Sequence, residues 1–105
     1  MRAVCHCMAV RFEIDSAPSP LLDCNCSICR RYGALWAYYY EQGGLHLTSP
    51  ADATFAYLWN DRSLAFHHCK TCGCTTHLQA VDIADRPIVG INARLILGLD
   101  PATPV

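Results

Sequence analysis

The sequence predicts an all-β fold with at most short helical turns, and three observations predict it. Apolar and polar residues alternate over residues 10–14, and residues 53–59 alternate around the aromatics Phe55 and Tyr57, the period of a half-buried strand. Helical periodicity is scarce. Eight cysteines in 105 residues offer staples to a chain so short that it buries only roughly 60–65% of its unfolded surface. No repeat, low-complexity stretch or linker divides the chain, so residues 1–105 read as one domain.

Each element has its own signal. Val10, Phe12 and Ile14 alternate with Arg11 and Glu13, and Pro18-Ser19-Pro20 breaks the chain before Leu21-Leu22. Ser27 is placed to cap a turn over residues 28–32 that Gly33 stops. Residues 34–40 read as an aromatic strand; Gly43-Gly44 punctuates it and Leu45-His46-Leu47 resumes. Residues 53–59 alternate around Phe55 and Tyr57, Asn60-Asp61-Arg62-Ser63 is a turn, and residues 64–68 return as a strand. Residues 75–80 form its partner. Residues 91–99 fit either a short helix or a strand followed by a loop.

The charge balance mostly excludes. Eight Lys and Arg against nine Asp and Glu give a formal net charge of −1, which leaves no basic footprint for nucleic acid or an anionic membrane. The longest apolar run, residues 34–40, falls far short of the ~20 residues that cross a bilayer. Residues 1–10 carry one positive charge, then cysteines and a histidine, and do not read as a signal peptide. A reducing, cytoplasmic setting is therefore expected, where clustered cysteines hold metal more often than they form disulfides.

The cysteines fall into Cys5-His6-Cys7, Cys24-Asn25-Cys26-Ser27-Ile28-Cys29 and Cys69-Lys70-Thr71-Cys72-Gly73-Cys74. On an extended segment Cys5 and Cys7 point to one face and His6 to the other. Cys69-x-x-Cys72-Gly73 is a zinc knuckle pattern, a tight turn that aims two sulfurs inward and ends on a glycine of positive φ. Paired, Cys5, Cys7, Cys69 and Cys72 make a closed four-sulfur zinc site that clips two distant segments together. Iron is the main alternative metal. Cys24, Cys26 and Cys29 bring three sulfurs together, and three ligands leave the open position of a catalytic zinc. Spacing leaves that reading level with a second closed site completed by Cys74, His67, His68 or His77. Cys74 itself reads equally as a sulfur facing the first site, a small hydrophobe or a spare thiol.

Cys5-x-Cys7 with Ala9-Val10-Arg11-Phe12, then Cys24-x-Cys26-Ser27-x-Cys29-Arg30-Arg31 with Gly33-Ala34, then Cys69-x-x-Cys72-Gly73, resembles the glutathione-dependent formaldehyde-activating (GFA) family, which includes centromere protein V. Val89-Gly90-Ile91-Asn92-Ala93-Arg94 is similar to the family's C-terminal strand and turn. The resemblance implies a small zinc-stapled fold of folded-over antiparallel sheets holding two zinc ions. One is structural, on Cys5, Cys7, Cys69 and Cys72; the second sits on Cys24, Cys26 and Cys29 with its fourth position free. It also implies condensation of formaldehyde with glutathione to S-hydroxymethylglutathione, hence a carbon–sulfur lyase whose partners are a small thiol such as glutathione and an aldehyde. Two residues depart from the family pattern: Met8 stands where Gly is usual, and Cys74 where a small hydroxyl residue is usual. Neither removes a ligand.

For such a site Arg30 and Arg31 are placed to hold a carboxylate of the thiol substrate. Tyr38, Tyr39 and Tyr40 are candidates for a pocket, although an alternating aromatic strand more often divides between core and surface. His67 and His68 precede the knuckle, one inward and one outward, in reach of a hydrogen bond to a cysteine sulfur. His46 and His77 have no local company. Three functions compete: a lyase on a thiol–aldehyde adduct, a non-catalytic zinc-binding protein-interaction module, and a redox switch that releases zinc when Cys24 to Cys29 oxidise.

Overall fold

Strand alternation builds most of the molecule, which is seen in a computed structural model that describes residues 1–15, 21–39, 44–59, 63–81 and 88–99. The strands among these residues are β1 (Arg2–Val4), β2 (Arg11–Ile14), β3 (Trp36–Tyr38), β4 (Leu45–Leu47), β5 (Thr54–Trp59), β6 (Leu64–Cys69), β7 (Thr75–Ala80) and β8 (Ile88–Asn92). One helical turn, α1 (Cys29–Tyr32), and two 3-10 turns, Ala51–Ala53 and Ala93–Leu95, complete the set. The fold is mainly β, as the alternation predicts.

Two antiparallel sheets result. The first runs β1-β2-β4 and the second β3-β8-β7-β6-β5, which leaves β5 at an edge. β2 turns Phe12 and Ile14 into the core and leaves Glu13 in solvent. Strands that follow one another in the chain are neighbours here: β5 pairs with β6, β6 with β7 and β7 with β8.

Two apolar clusters fill the interior, and each is the root of one cysteine group. Val10, Phe12, Leu35, Tyr39, Ile91 and Ile96 pack together with Cys5 and Cys69. Trp36, Phe66, Leu78, Ala80 and Ile28 pack together with Cys29, and Cys24 and Cys26 lie against them. The cysteine groups and the hydrophobic packing therefore share side chains.

Several local expectations change. Cys5 and Cys7 are not on an extended strand: β1 ends at Val4, and the Met8 amide donates to the Cys5 carbonyl at 3.0 Å to close a turn. Met8 completes that turn at φ 69°, a left-handed conformation that glycine adopts without strain. Ser27 does not cap α1; Ile28 stands at the cap with no side-chain bond, while Gly33 stops the helix at φ 65° as expected. Residues 91–99 follow the strand-then-loop reading, with the Asn92 side chain accepting from the Arg94 amide at 3.2 Å. Pro18-Ser19-Pro20, Tyr40, Gly43 and residues 60–62 lie outside the described residues. No helix among those described is long and apolar enough to cross a membrane.

Candidate metal centres

The β6–β7 hairpin carries the knuckle at its tip, where the Gly73 amide donates to the Cys69 carbonyl at 3.0 Å and Gly73 takes φ 81°. That turn presents Cys69 and Cys72 to the Cys5–Met8 turn. The Sγ atoms of Cys5, Cys7, Cys69 and Cys72 all lie within 4.8 Å of one another. Cys5 to Cys7 is 3.7 Å and Cys7 to Cys69 is 3.5 Å. Sulfurs ~2.3 Å from a shared tetrahedral zinc lie ~3.8 Å apart, whereas a disulfide would bring them to about 2 Å. The spacing fits a common metal.

Backbone amides favour thiolates here. Val10 N–H donates to Cys5 Sγ at 3.3 Å, and Thr71 and Cys72 N–H donate to Cys69 Sγ at 3.4 Å each. Burial opposes ionisation of Cys72, yet the amides of Cys74 and Cys7 outweigh it and carry its thiol down to about 5. The Ala9 amide favours the Cys7 thiolate, but desolvation and the sulfurs of Cys69, Cys5 and Cys72 overcome it and push Cys7 up to about 12. Crowded thiols without a cation cannot all ionise, and a divalent ion removes that conflict. The donor set fits zinc.

Cys74 lies beside this group without joining it. Its sulfur accepts the His6 amide and adjoins Cys72, so it is unavailable to the middle cluster.

The Sγ atoms of Cys24, Cys26 and Cys29 also lie within 4.8 Å of one another, and among the described residues no fourth Cys, His, Asp or Glu joins them. The loop into α1 positions them: Arg30 N–H donates to the Cys26 carbonyl at 3.2 Å and Cys29 N–H to Cys26 Sγ at 3.5 Å. The sulfur takes the place of the missing Ser27 cap. That Cys29 amide, against opposing burial, brings the Cys26 thiol down to about 7. Burial pushes Cys29 up to about 12, while the Trp36 indole N–H, at 3.3 Å from its sulfur, pulls the other way. Trp36 is a residue the spacing of cysteines gives no reason to single out.

The histidines are engaged elsewhere. His67 stacks on His77 with ring centroids 4.2 Å apart and bonds Thr54 Oγ1 and Gln79 Oε1 at 2.8 and 2.6 Å. His68 meets the Tyr32 hydroxyl at 3.2 Å and Thr75 Oγ1 at 3.4 Å. The expected histidine-to-sulfur bonds are replaced by hydroxyl and amide partners. His77, far from being alone, stacks on His67 and meets the edge of Phe12, and His46 faces Asp15 at 3.3 Å. Burial, then the His67 charge, lowers His77 to about 3.

An open cleft of about 470 Å³ adjoins the middle cluster, lined by Ser27, Ile28, Arg31, Tyr32, Tyr57 and Trp59. Arg31 reaches it while one guanidinium nitrogen donates to the Ser27 carbonyl at 2.6 Å. Arg30 is exposed and is not among the lining residues. Neither are Tyr38, half-buried over Gly90, and Tyr39, buried in the first core.

Fold and site together define a small antiparallel β protein with two cysteine clusters able to hold metal. The family described as glutathione-dependent formaldehyde-activating enzyme (GFA) matches residues 1–98, and the chain belongs to that family. A crystal structure of a Rhodobacter sphaeroides protein, a structural genomics target, is similar throughout. It is 30% identical with a TM-score of 0.78, and the match covers 97% of this chain and 93% of that one.

Proposed function

We propose that this chain is a zinc-dependent carbon–sulfur lyase acting on a thiol–aldehyde adduct of the S-hydroxymethylglutathione kind. One observation carries the reading: three sulfurs gather beside a cleft with no fourth ligand among the described residues. In this reading residues 1–105 act as one domain with two zinc ions. Cys5, Cys7, Cys69 and Cys72 hold the structural ion, and Cys24, Cys26 and Cys29 hold the other. None of the eight cysteines is in a disulfide, which suits a reducing, cytoplasmic setting.

Bound at the middle cluster, zinc supplies a cationic Lewis acid that favours a substrate sulfur as thiolate. The protein's own groups set the stage. Cys26 offers a sulfur that ionises near neutrality, and the Trp36 indole N–H holds Cys29. Arg31 presents a guanidinium on the cleft to a substrate carboxylate; Arg30 is left for solvent. In the cleavage direction the C–S bond breaks with its electron pair on sulfur, the C=O forms as the hydroxyl proton leaves, and that proton ends on the thiol. Nothing is oxidised or reduced.

The test is metal content per chain, followed by cobalt(II) replacement and thiol titration with 2-mercaptoethanol and glutathione. Two ions with a thiol-dependent change in the cobalt spectrum at one of them is the expected result. Two ions that ignore every thiol would favour the non-catalytic zinc module instead.

A further inference from the structure

The cleft beside the middle cluster is unusual in what lines it. Three of its six described walls are aromatic, Tyr32, Tyr57 and Trp59; one is a cation, Arg31; none is acidic. Two of the rings are fixed in place. Tyr32 packs on Phe66 and His68 at centroid distances of 5.6 and 5.0 Å and its hydroxyl meets His68, and Trp59 packs on Phe66 at 6.4 Å.

Tyr57 differs. It lies on the edge strand β5, is 53% exposed, and has no ring or hydrogen-bond partner among the described residues. An exposed aromatic over a cleft with two rigid aromatic walls forms a surface suited to a flat apolar group. No cysteine lines the cleft, but its wall residues Ser27 and Ile28 lie between Cys26 and Cys29 in the chain, and Ile28, Tyr32 and Trp59 belong to the apolar cluster that packs with the three cysteines.

We infer that this cleft selects thiols with an aromatic or bulky apolar body and a single carboxylate, in preference to glutathione. The inference rests on the reading that the middle cluster takes a substrate thiol. Glutathione brings two carboxylates and an ammonium on a polar backbone. The described walls meet it with one guanidinium, no carboxylate for the ammonium, and three rings for which it has no apolar counterpart. A 2-mercapto-3-phenylpropanoate places sulfur, carboxylate and ring close together, so Arg31 takes the carboxylate while Tyr57 and Trp59 take the ring.

Cobalt-loaded protein is titrated with 2-mercapto-3-phenylpropanoate, mercaptoacetate, benzyl mercaptan and glutathione. The aromatic acid is expected to bind about ten-fold tighter than mercaptoacetate and than glutathione. Tyr57→Ala, an exposed substitution that leaves the core alone, should remove most of that advantage and leave mercaptoacetate unchanged. Arg31→Gln should weaken both small acids and spare benzyl mercaptan. Equal affinities, or glutathione as the tightest ligand, would overturn the inference and leave the lyase reading standing. If no thiol alters the cobalt spectrum, the lyase reading fails, and 3-phenylpropanoate, which lacks sulfur, decides the cleft alone. Saturable tryptophan quenching that Tyr57→Ala abolishes supports an aromatic-acid cleft; absence of quenching overturns it.

Discussion

Cys7 and Cys69, 62 positions apart in the chain, bring their sulfurs to 3.5 Å, whereas Cys24, Cys26 and Cys29 meet within the short stretch that leads into α1. The first cluster joins the turn after β1 to the β6–β7 hairpin and buries Cys5 and Cys69 almost completely. The second gathers sulfurs that the chain already holds near one another, and leaves two of them half-buried. Loss of a ligand should therefore cost the fold in one place and only the metal in the other. Long-range closure is where stapling contributes most.

Breaking the first cluster should have the largest effect. Structural zinc contributes about 10–16 kcal/mol in small metal-dependent folds, as much as an ordinary domain's entire stability. Cys72→Ser should accordingly unfold the chain at room temperature, read by circular dichroism, and release both metals. Cys26→Ser should keep the fold, with stability changed by less than about 2 kcal/mol. It should retain one metal and lose the thiol response. If both variants unfold alike, the contrast between the clusters is wrong.

A pH series separates the core from the metals. His77 is held neutral by burial at about 3, below its unfolded value near 6.5. The unfolded chain thus binds the proton first, and the stabilisation is complete above pH 6.5. It declines by about 1.4 kcal/mol per unit as pH falls toward 3. Denaturant midpoints at pH 6.5 and 5.5, with metal content followed alongside, should show a loss of about 1 kcal/mol in the native chain, since the unfolded imidazole is only half protonated at the upper pH, and a smaller loss in His77→Gln.

Smaller effects sharpen the first cluster. Met8→Gly removes a side chain held at φ 69° while exposed to solvent, and should stabilise by about 1 kcal/mol. A rise in melting temperature of a few degrees would register it. Cys74→Ser should change least, since its sulfur lies outside the four-sulfur group; both metals and the melting temperature should be retained.

Much of this site was legible because cysteine spacing is itself geometry: a CxxCG knuckle and three sulfurs within six positions leave few arrangements open. Alternation likewise marked β2 and β5, and position on either side of the knuckle marked β6 and β7. What sequence spacing could not convey depends on partners from elsewhere in the chain. From sequence the Cys5–Met8 turn looks extended because CxC fits both, and Met8 in place of glycine hides the left-handed residue that decides between them. Trp36, which meets Cys29, pairs its backbone with Leu22 just before the cysteine segment, and His77 finds His67 only across the β6–β7 register. Tyr57 and Trp59 enter the cleft from an edge strand that no local pattern connects to α1. Ser27 fits every rule for a cap, but the Cys26 sulfur already occupies the place its hydroxyl would take.

The separation of Cys7 from Cys69 also orders events while the chain is being made. At typical synthesis rates of about 5–20 residues per second, the N-terminal thiols wait roughly 3–12 s before their partners exist. The middle cluster is complete within a fraction of that interval. A nascent chain with metal at its local cluster would acquire it before either sheet is finished, while an ion shared by the long-range cluster could arrive only after the β6–β7 hairpin has emerged.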